Sequence, residues 1–320
     1  MKYKRIDGIE KDISQLVYGA NPKTCGEDTE AAIEALDIAY HAGFRTLDTA
    51  HAYGMCESNI GKWMVRRGNR DDIAILDKGC NPTERGSLDV LSAATVKEQF
   101  AHSLDALQTD HVELYALHRD DESKPVDEII EVLNELKSDG KIQRFGTSNW
   151  KLYRILQANQ YAEEHGLEPF SVISPAYNLA DYVYDPWMGS VSICGNRNKD
   201  LKIWAQEHQI PVFNYSSLAR GFLSGKYRTD RSVPIEKCLA WGTIQEYSSN
   251  ANLERLAKAE KLSAEKDATV SQIALAWLLA QPLNIFPLVS LSSEEHILEI
   301  SKAFDISLSR EECRWLREVG

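Results

Sequence analysis

The feature that most constrains this chain is a regular alternation of two kinds of apolar pattern. Short strand-like runs occur at Leu16–Ala20, Phe44–Leu47, Ile73–Leu76, Val112–Leu117, Ile142–Gly146, Phe170–Ile173, Val212–Tyr215 and Ile285–Val289. Between them, apolar residues recur at helical spacing, as in Ile33, Leu36 and Tyr40, or Val96, Phe100, Leu104 and Leu107. Further helical patterns cover Ser58–Arg67, Val126–Leu136, Leu152–His165, Leu201–His208, Val270–Trp277 and Ile297–Phe304. Gly43, Gly68 and Asp139-Gly140 supply helix stops. Eight strand patterns alternating with eight helix patterns are more than an open sheet usually holds, and they predict an α/β fold, a (β/α)8 TIM barrel forming a single domain over 1–320. Two connections, Asn178–Lys199 and Arg220–Asn250, are too long for simple turns and are expected as long loops at the C-terminal face.

Charge narrows the partners. A formal net charge of −12, with no basic run longer than Arg66-Arg67, argues against a nucleic-acid ligand. No window reaches the apolar length of a membrane span, and the start, MKYKRIDGIEKDIS, lacks an export signal's apolar core, so a cytoplasmic location is expected. Cys25, Cys56, Cys80, Cys194, Cys238 and Cys313 form no CxxC and no zinc spacing, so no metal site is expected and free thiols are. Cys80, just beyond a strand pattern, is the alternative reactive position.

The polar residues that end the strand patterns converge in kind. Asp48 closes the second strand in FRTLDTAHAYG and Tyr53 follows in the loop; Lys78 closes the third, and His118 the fourth. In a parallel barrel these ends meet at the C-terminal face, where active sites are built. A lysine there is costly to desolvate unless paired, and Asp48 is the nearest candidate partner. The ammonium charge is expected to lower the neighbouring phenol's pKa from near 10 and so make Tyr53 a usable general acid.

LDTAHAYG, the strand-terminal Lys78, LHR at His118 and the pair Ser148-Asn149 together resemble the aldo-keto reductase family, over nearly the whole chain. The resemblance implies an eight-stranded α/β barrel and a catalytic tetrad of Asp48, Tyr53, Lys78 and His118. It implies hydride transfer between a nicotinamide and a small-molecule carbonyl or alcohol substrate, with Tyr53 donating the proton, Lys78 tuning it and His118 orienting the oxygen. It also implies the NAD(P)(H) contacts. Ser148 and Asn149 match the pair that holds the carboxamide, Tyr215 the stacking aromatic, and Ser216, Leu218 and Arg220 the pyrophosphate segment. No GxGxxG is present.

Two departures from the family pattern stand out. Ser174 replaces a glutamine at the end of the sixth strand, so the third carboxamide contact is expected to be lost or water-mediated. In PLVSLSSEEHILEIS, Ser292 stands where a basic residue would grip the adenosine 2′-phosphate and Ile300 where an asparagine would be. Glu294 and Glu295 would repel that phosphate. The carboxylates suit a free ribose hydroxyl, so the reading leans to NAD(H) over NADP(H), with Glu295 as a ribose contact.

His51, Trp150 and Trp187 are expected on the substrate wall, with Trp241 a further aromatic candidate. HRDDESK reads as a solvated loop, with Arg119 or Asp120 as an alternative contact for a polar substrate. Two other functional classes remain open. One is a nicotinamide-nucleotide-binding regulatory or sensor protein with weak catalysis, which the resemblance also admits. The other is a metal-dependent barrel hydrolase, which lacks the usual close histidine pair.

Overall fold

A computed structural model of the chain describes residues 1–82, 90–231, 233–291 and 293–320. It opens with a feature the sequence patterns do not announce, an antiparallel hairpin of β1 (Tyr3–Lys4) and β2 (Ile13–Ser14). Its Ile6, Ile9 and Ile13 are buried with Ala74, Leu76, Leu114, Ala116, Phe213 and Phe286, residues of the strands that line the barrel. The hairpin therefore plugs the N-terminal end. Lys11 in its connection donates to buried Glu113 at 2.7 Å, and Glu113 also takes Arg70 at 3.0 Å. Burial pushes the Glu113 carboxyl up, but hydrogen bonds and charge from His111, Arg70 and Lys11 win and hold it at about 2.

The barrel strands are β3 (Val17–Tyr18), β4 (Thr46–Asp48), β5 (Ala74–Gly79), β6 (Val112–Leu117), β7 (Ile142–Ser148), β8 (Val172–Ser174) and β9 (Leu288–Val289). They pair in parallel in the order β8-β7-β6-β5-β4-β3-β9. The segment 212–215 completes the ring through parallel bridges Ile173↔Val212 and Val212↔Ile285, so the expected eight-stranded barrel closes. Every residue of β5 and β6 is buried. Both faces of those strands are covered, as the continuous apolar runs require.

The helices α1 (Thr29–His41), α2 (Cys56–Arg67), α3 (Ala93–Leu107), α4 (Asp127–Ser138), α5 (Leu152–Glu164) and α6 (Lys199–Glu207) follow the expected patterns. Asp28 caps α1 by accepting from the Ala31 N–H at 3.0 Å, and Gly68 ends α2 in a left-handed conformation. The second long loop is only partly irregular: it contains α7 (Trp241–Tyr247) and runs into α8 (Asn250–Glu265). α9 (Val270–Leu279) and α10 (Glu294–Ser301) flank the last strand, and α11 (Arg310–Arg317) is an addition started by a Ser309/Glu312 capping box. No helix among the described residues is long and apolar enough to cross a membrane.

Candidate active site

The C-terminal ends of β4, β5 and β6 bring Asp48, Lys78 and His118 to one place, and Tyr53 enters from the loop after β4. Lys78 donates to Asp48 Oδ1 and, at 2.8 Å, to the Thr49 carbonyl; both charged side chains are buried. Its Nζ lies 5.2 Å from the centre of the Tyr53 ring. The Tyr53 hydroxyl is 3.4 Å from His118 Nε2. Strand pleating explains the selection, since Lys78 projects inward while its neighbours in β5 pack the outer layer.

Burial governs the proton affinities here. It pulls Lys78 down, but Asp48 and Tyr53 more than offset this and leave the ammonium above its ordinary value. It pushes Asp48 up against the opposing pull of Lys78. The expected lowering of Tyr53 does not occur: desolvation raises the phenol above its ordinary value, and Lys78 only limits the rise. Burial, with Lys78 and Arg119 nearby, drives His118 well below its ordinary range, so the ring is neutral at physiological pH. Its Nδ1 is buried with no hydrogen-bond partner among the described residues.

These groups stand in a cavity of about 840 Å3 that also takes in Ser148, Asn149, Ser174, Tyr215, Ser216, Leu218, Arg220 and Trp187. Asn149 is fully engaged within the protein. Its amide N–H groups donate to the His118 carbonyl at 3.2 Å and Ser148 Oγ at 2.9 Å, and its Oδ1 accepts from the Val191 N–H at 2.9 Å and the Tyr215 hydroxyl at 2.6 Å. Ser148 donates to the Ser174 carbonyl at 2.8 Å. Ser174 Oγ, in contrast, is buried at the cavity with no hydrogen-bond partner among the described residues. The residue that departs from the resemblance's pattern thus has an unpaired hydroxyl among the described residues, whereas Ser148 and Asn149 are engaged. Beyond Tyr215, Ser216, Ala219 and Arg220 have φ of 55, 49 and 52°, left-handed values that non-glycine residues keep only where the surroundings enforce them.

Several expected contacts lie elsewhere. Trp150 is 1% exposed and packs on Phe170 with ring centres 5.2 Å apart, in the core rather than on the substrate wall. Asn149, at φ 63°, turns the chain so that the next side chain points inward. His51 sits beside His102, ring centres 6.0 Å apart, outside the cavity lining. Trp241 is exposed, and Asp120 is held by Arg154 at 3.0 Å. Glu294 and Glu295 do not line the cavity; His296, Glu299 and Ile300 do. Burial of Ile297 and Ile300 sets the phase of α10 and leaves Glu294 and Glu295 exposed. Ser292 lies outside the described residues. Arg119, the alternative contact in HRDDESK, lines the cavity, and so does Lys226, which no motif singled out.

Cys25 lines it too, next to the Tyr53 loop, where its carbonyl accepts from the Met55 N–H at 3.2 Å. A hydrogen bond with the Cys56 thiol holds the Cys25 thiol down at about 7, whereas burial pushes Cys80 up to about 12. Brief alkylation with iodoacetamide at pH 7.5 is expected to label Cys25 and spare Cys80, with peptide mass mapping as the check. Dominant labelling of Cys80 would contradict the assignment.

The aldo/keto reductase family model matches residues 16–320. Aldo-keto reductase str7 of Strobilurus tenacellus is 29% identical over 299 residues, 92% of this chain and 82% of that protein. An aryl-alcohol dehydrogenase [NADP(+)] of Phanerodontia chrysosporium is 27% identical over 315 residues, 91% of this chain and 76% of its own length. The structure of a glycerol dehydrogenase from Gluconobacter oxydans superposes with a TM-score of 0.77 at 22% identity, covering 98% of this chain and 93% of that one. The matched span contains every strand end that supplies the buried Lys78–Asp48 pair, Tyr53 and His118, and the chain belongs to the aldo/keto reductase family of oxidoreductases.

Proposed function

We propose that this protein interconverts a carbonyl compound and an alcohol with a nicotinamide dinucleotide, using Tyr53 as general acid and base. The observation that carries the reading is the placement of the Tyr53 hydroxyl, 3.4 Å from neutral His118 and beside the Lys78–Asp48 pair, at the base of a large cavity. A bound reduced nicotinamide supplies the hydride. Tyr53 then gives its proton to the oxygen that gains negative charge, and His118 Nε2 shares the contact with that oxygen. Lys78 places a fixed positive charge beside the phenol, which eases loss of the Tyr53 proton against the opposing effect of burial.

The residues fit such a cofactor. Ser174 offers a buried, unpaired hydroxyl for a carboxamide, the Tyr215 ring forms part of the wall, and the left-handed segment from Ser216 lines the continuing cavity. Asn149 has a different role in this reading: it fixes Tyr215 and the His118 backbone, and contacts a carboxamide only by exchanging one of those bonds.

The lean towards NAD(H) rested on Ser292, which lies outside the described residues, and on Glu294 and Glu295, which do not line the cavity, whereas Lys226 and His296 do. We therefore expect NADPH to bind at least as well as NADH. His296→Glu is expected to weaken NADPH about tenfold through repulsion of the 2′-phosphate, with NADH little affected. Fluorescence titration of both nucleotides checks this. A tenfold preference of the unmodified protein for NADH would restore the opposite assignment.

The activity itself is tested by mixing purified protein, NADPH or NADH and a panel of simple aldehydes and following loss of nicotinamide absorbance. Nucleotide binding without any turnover would favour the sensor reading instead.

A further inference from the structure

Arg119 follows His118 at the end of β6 and is only 6% exposed, yet it lines the cavity beside Tyr53, Lys78 and His118. One of its N–H groups is used locally: Nη1 donates to the His118 carbonyl at 2.8 Å. Its guanidinium lies 5.4 Å from the centre of the Trp187 ring. No carboxylate pairs with it among the described residues. The titratable groups that act on it are the phenols Tyr215, Tyr53 and Tyr182, none of which is an anion at neutral pH. The candidate counter-ions are spent elsewhere. Asp48 holds Lys78, Asp120 holds Arg154 at 3.0 Å, Asp121 accepts from Ser123, and Glu246 holds the other cavity arginine, Arg220, at 2.6 Å. The reacting end of the cavity therefore has one uncompensated positive charge.

An arginine almost fully removed from water keeps such a charge at considerable cost unless a ligand supplies the partner. Its planar fork matches a carboxylate, and the Trp187 ring lies within cation–π range of the guanidinium at the same cavity. We propose that Arg119 is a substrate-binding residue and that the carbonyl substrate of this protein bears a carboxylate, which Arg119 takes while the carbonyl oxygen meets Tyr53 and His118. This rests on the hydride-transfer reading and names the substrate class within it. It also separates the two cavity arginines: Arg220, already paired with Glu246, stays with the loop between the segment 212–215 and α7, while Arg119 selects the substrate.

The test compares 4-carboxybenzaldehyde with 4-nitrobenzaldehyde, which has nearly the same shape and a more electrophilic carbonyl but no charge. The expected result is a kcat/KM at least tenfold higher for the carboxylate, expressed mainly in KM and diminishing as salt is raised. Arg119→Gln should reduce this discrimination at least tenfold, and Arg119→Lys should restore part of it. Nucleotide titration of both variants reports whether the cavity is intact. Equal kcat/KM for the two aldehydes in the unmodified protein, or discrimination that survives Arg119→Gln, overturns the proposal. If neither aldehyde is reduced, the hydride-transfer reading fails for these compounds. Calorimetry with 4-(hydroxymethyl)benzoate against 4-(hydroxymethyl)benzamide then decides the anion site separately, tighter benzoate binding supporting it and equal binding removing it.

Discussion

Replacing Tyr53 with phenylalanine is expected to lower kcat for carbonyl reduction about a thousandfold, within the range that a positioned proton donor supplies. Nucleotide affinity should change little, because the hydroxyl meets His118 rather than the part of the cavity beyond Tyr215. No neighbour can take over. His118 is held neutral by burial and by the positive charges near it, so it has no acidic proton to give in the neutral range, and Lys78 is committed to Asp48 and the Thr49 carbonyl. The pH dependence follows from the same shifts. Tyr53 is raised above its ordinary value, so it stays protonated through neutral pH and the reductive rate should be flat from about pH 6.5 to 9. Alcohol oxidation needs the phenolate and should rise with pH over that range. Stopped-flow absorbance traces of the unmodified and Tyr53→Phe proteins would check both statements. A reductive rate that falls as a single group ionises near pH 7 would contradict them.

The barrel, and the meeting of Asp48, Lys78 and His118 at one cavity, could be read from the chain for one reason. Asp48, Lys78 and His118 each sit at the end of a continuous apolar run, and a parallel barrel sends all such ends to one face. What escaped depends on directions that one-dimensional patterns do not carry. Trp150 looked like a wall residue because it follows Asn149, but a single left-handed φ at Asn149 sends it into the core. Glu295 looked like a ribose contact from its place in the sequence, but the helical phase of α10 hands the cavity to His296, Glu299 and Ile300. The hairpin of β1 and β2 has only two residues in each strand, too few for an alternation to register. Tyr53 shows a different limit. Charge proximity was legible, but the degree of burial was not, and burial decided the sign of its shift.

Arg119, read only as an alternative contact, shows the same limit. A charged run after a strand is usually solvated, and nothing in HRDDESK marks which of its charges turns inward. The structure divides the run: Asp120 is paired with Arg154 from α5, while Arg119 is buried at the cavity with no carboxylate partner among the described residues. The informative quantity is the presence or absence of a partner.

Lys78→Met should damage both stability and catalysis. The Lys78–Asp48 pair is buried at 3% and 5% side-chain exposure, and removing one member strands the other charge, at a cost of about 3–5 kcal/mol. Asp48 is already pushed up by burial while Lys78 opposes that rise, so in the variant its carboxyl moves further up. An acid whose folded pKa exceeds its unfolded value contributes stability below the unfolded value, near 4, and loses it as pH rises through the folded value. The variant should therefore be less handicapped relative to the unmodified protein at pH 5 than at pH 8. Adding Asp48→Asn should recover most of the lost stability, because it removes the stranded charge, but none of the lost rate, because Tyr53 still lacks the ammonium that eases its proton transfer. Urea denaturation of the single and double variants at both pH values measures the first effect, and single-turnover reduction the second. Recovery of rate together with stability would show that Lys78 acts only by holding the strand ends in place, and the electrostatic role assigned to it would fall.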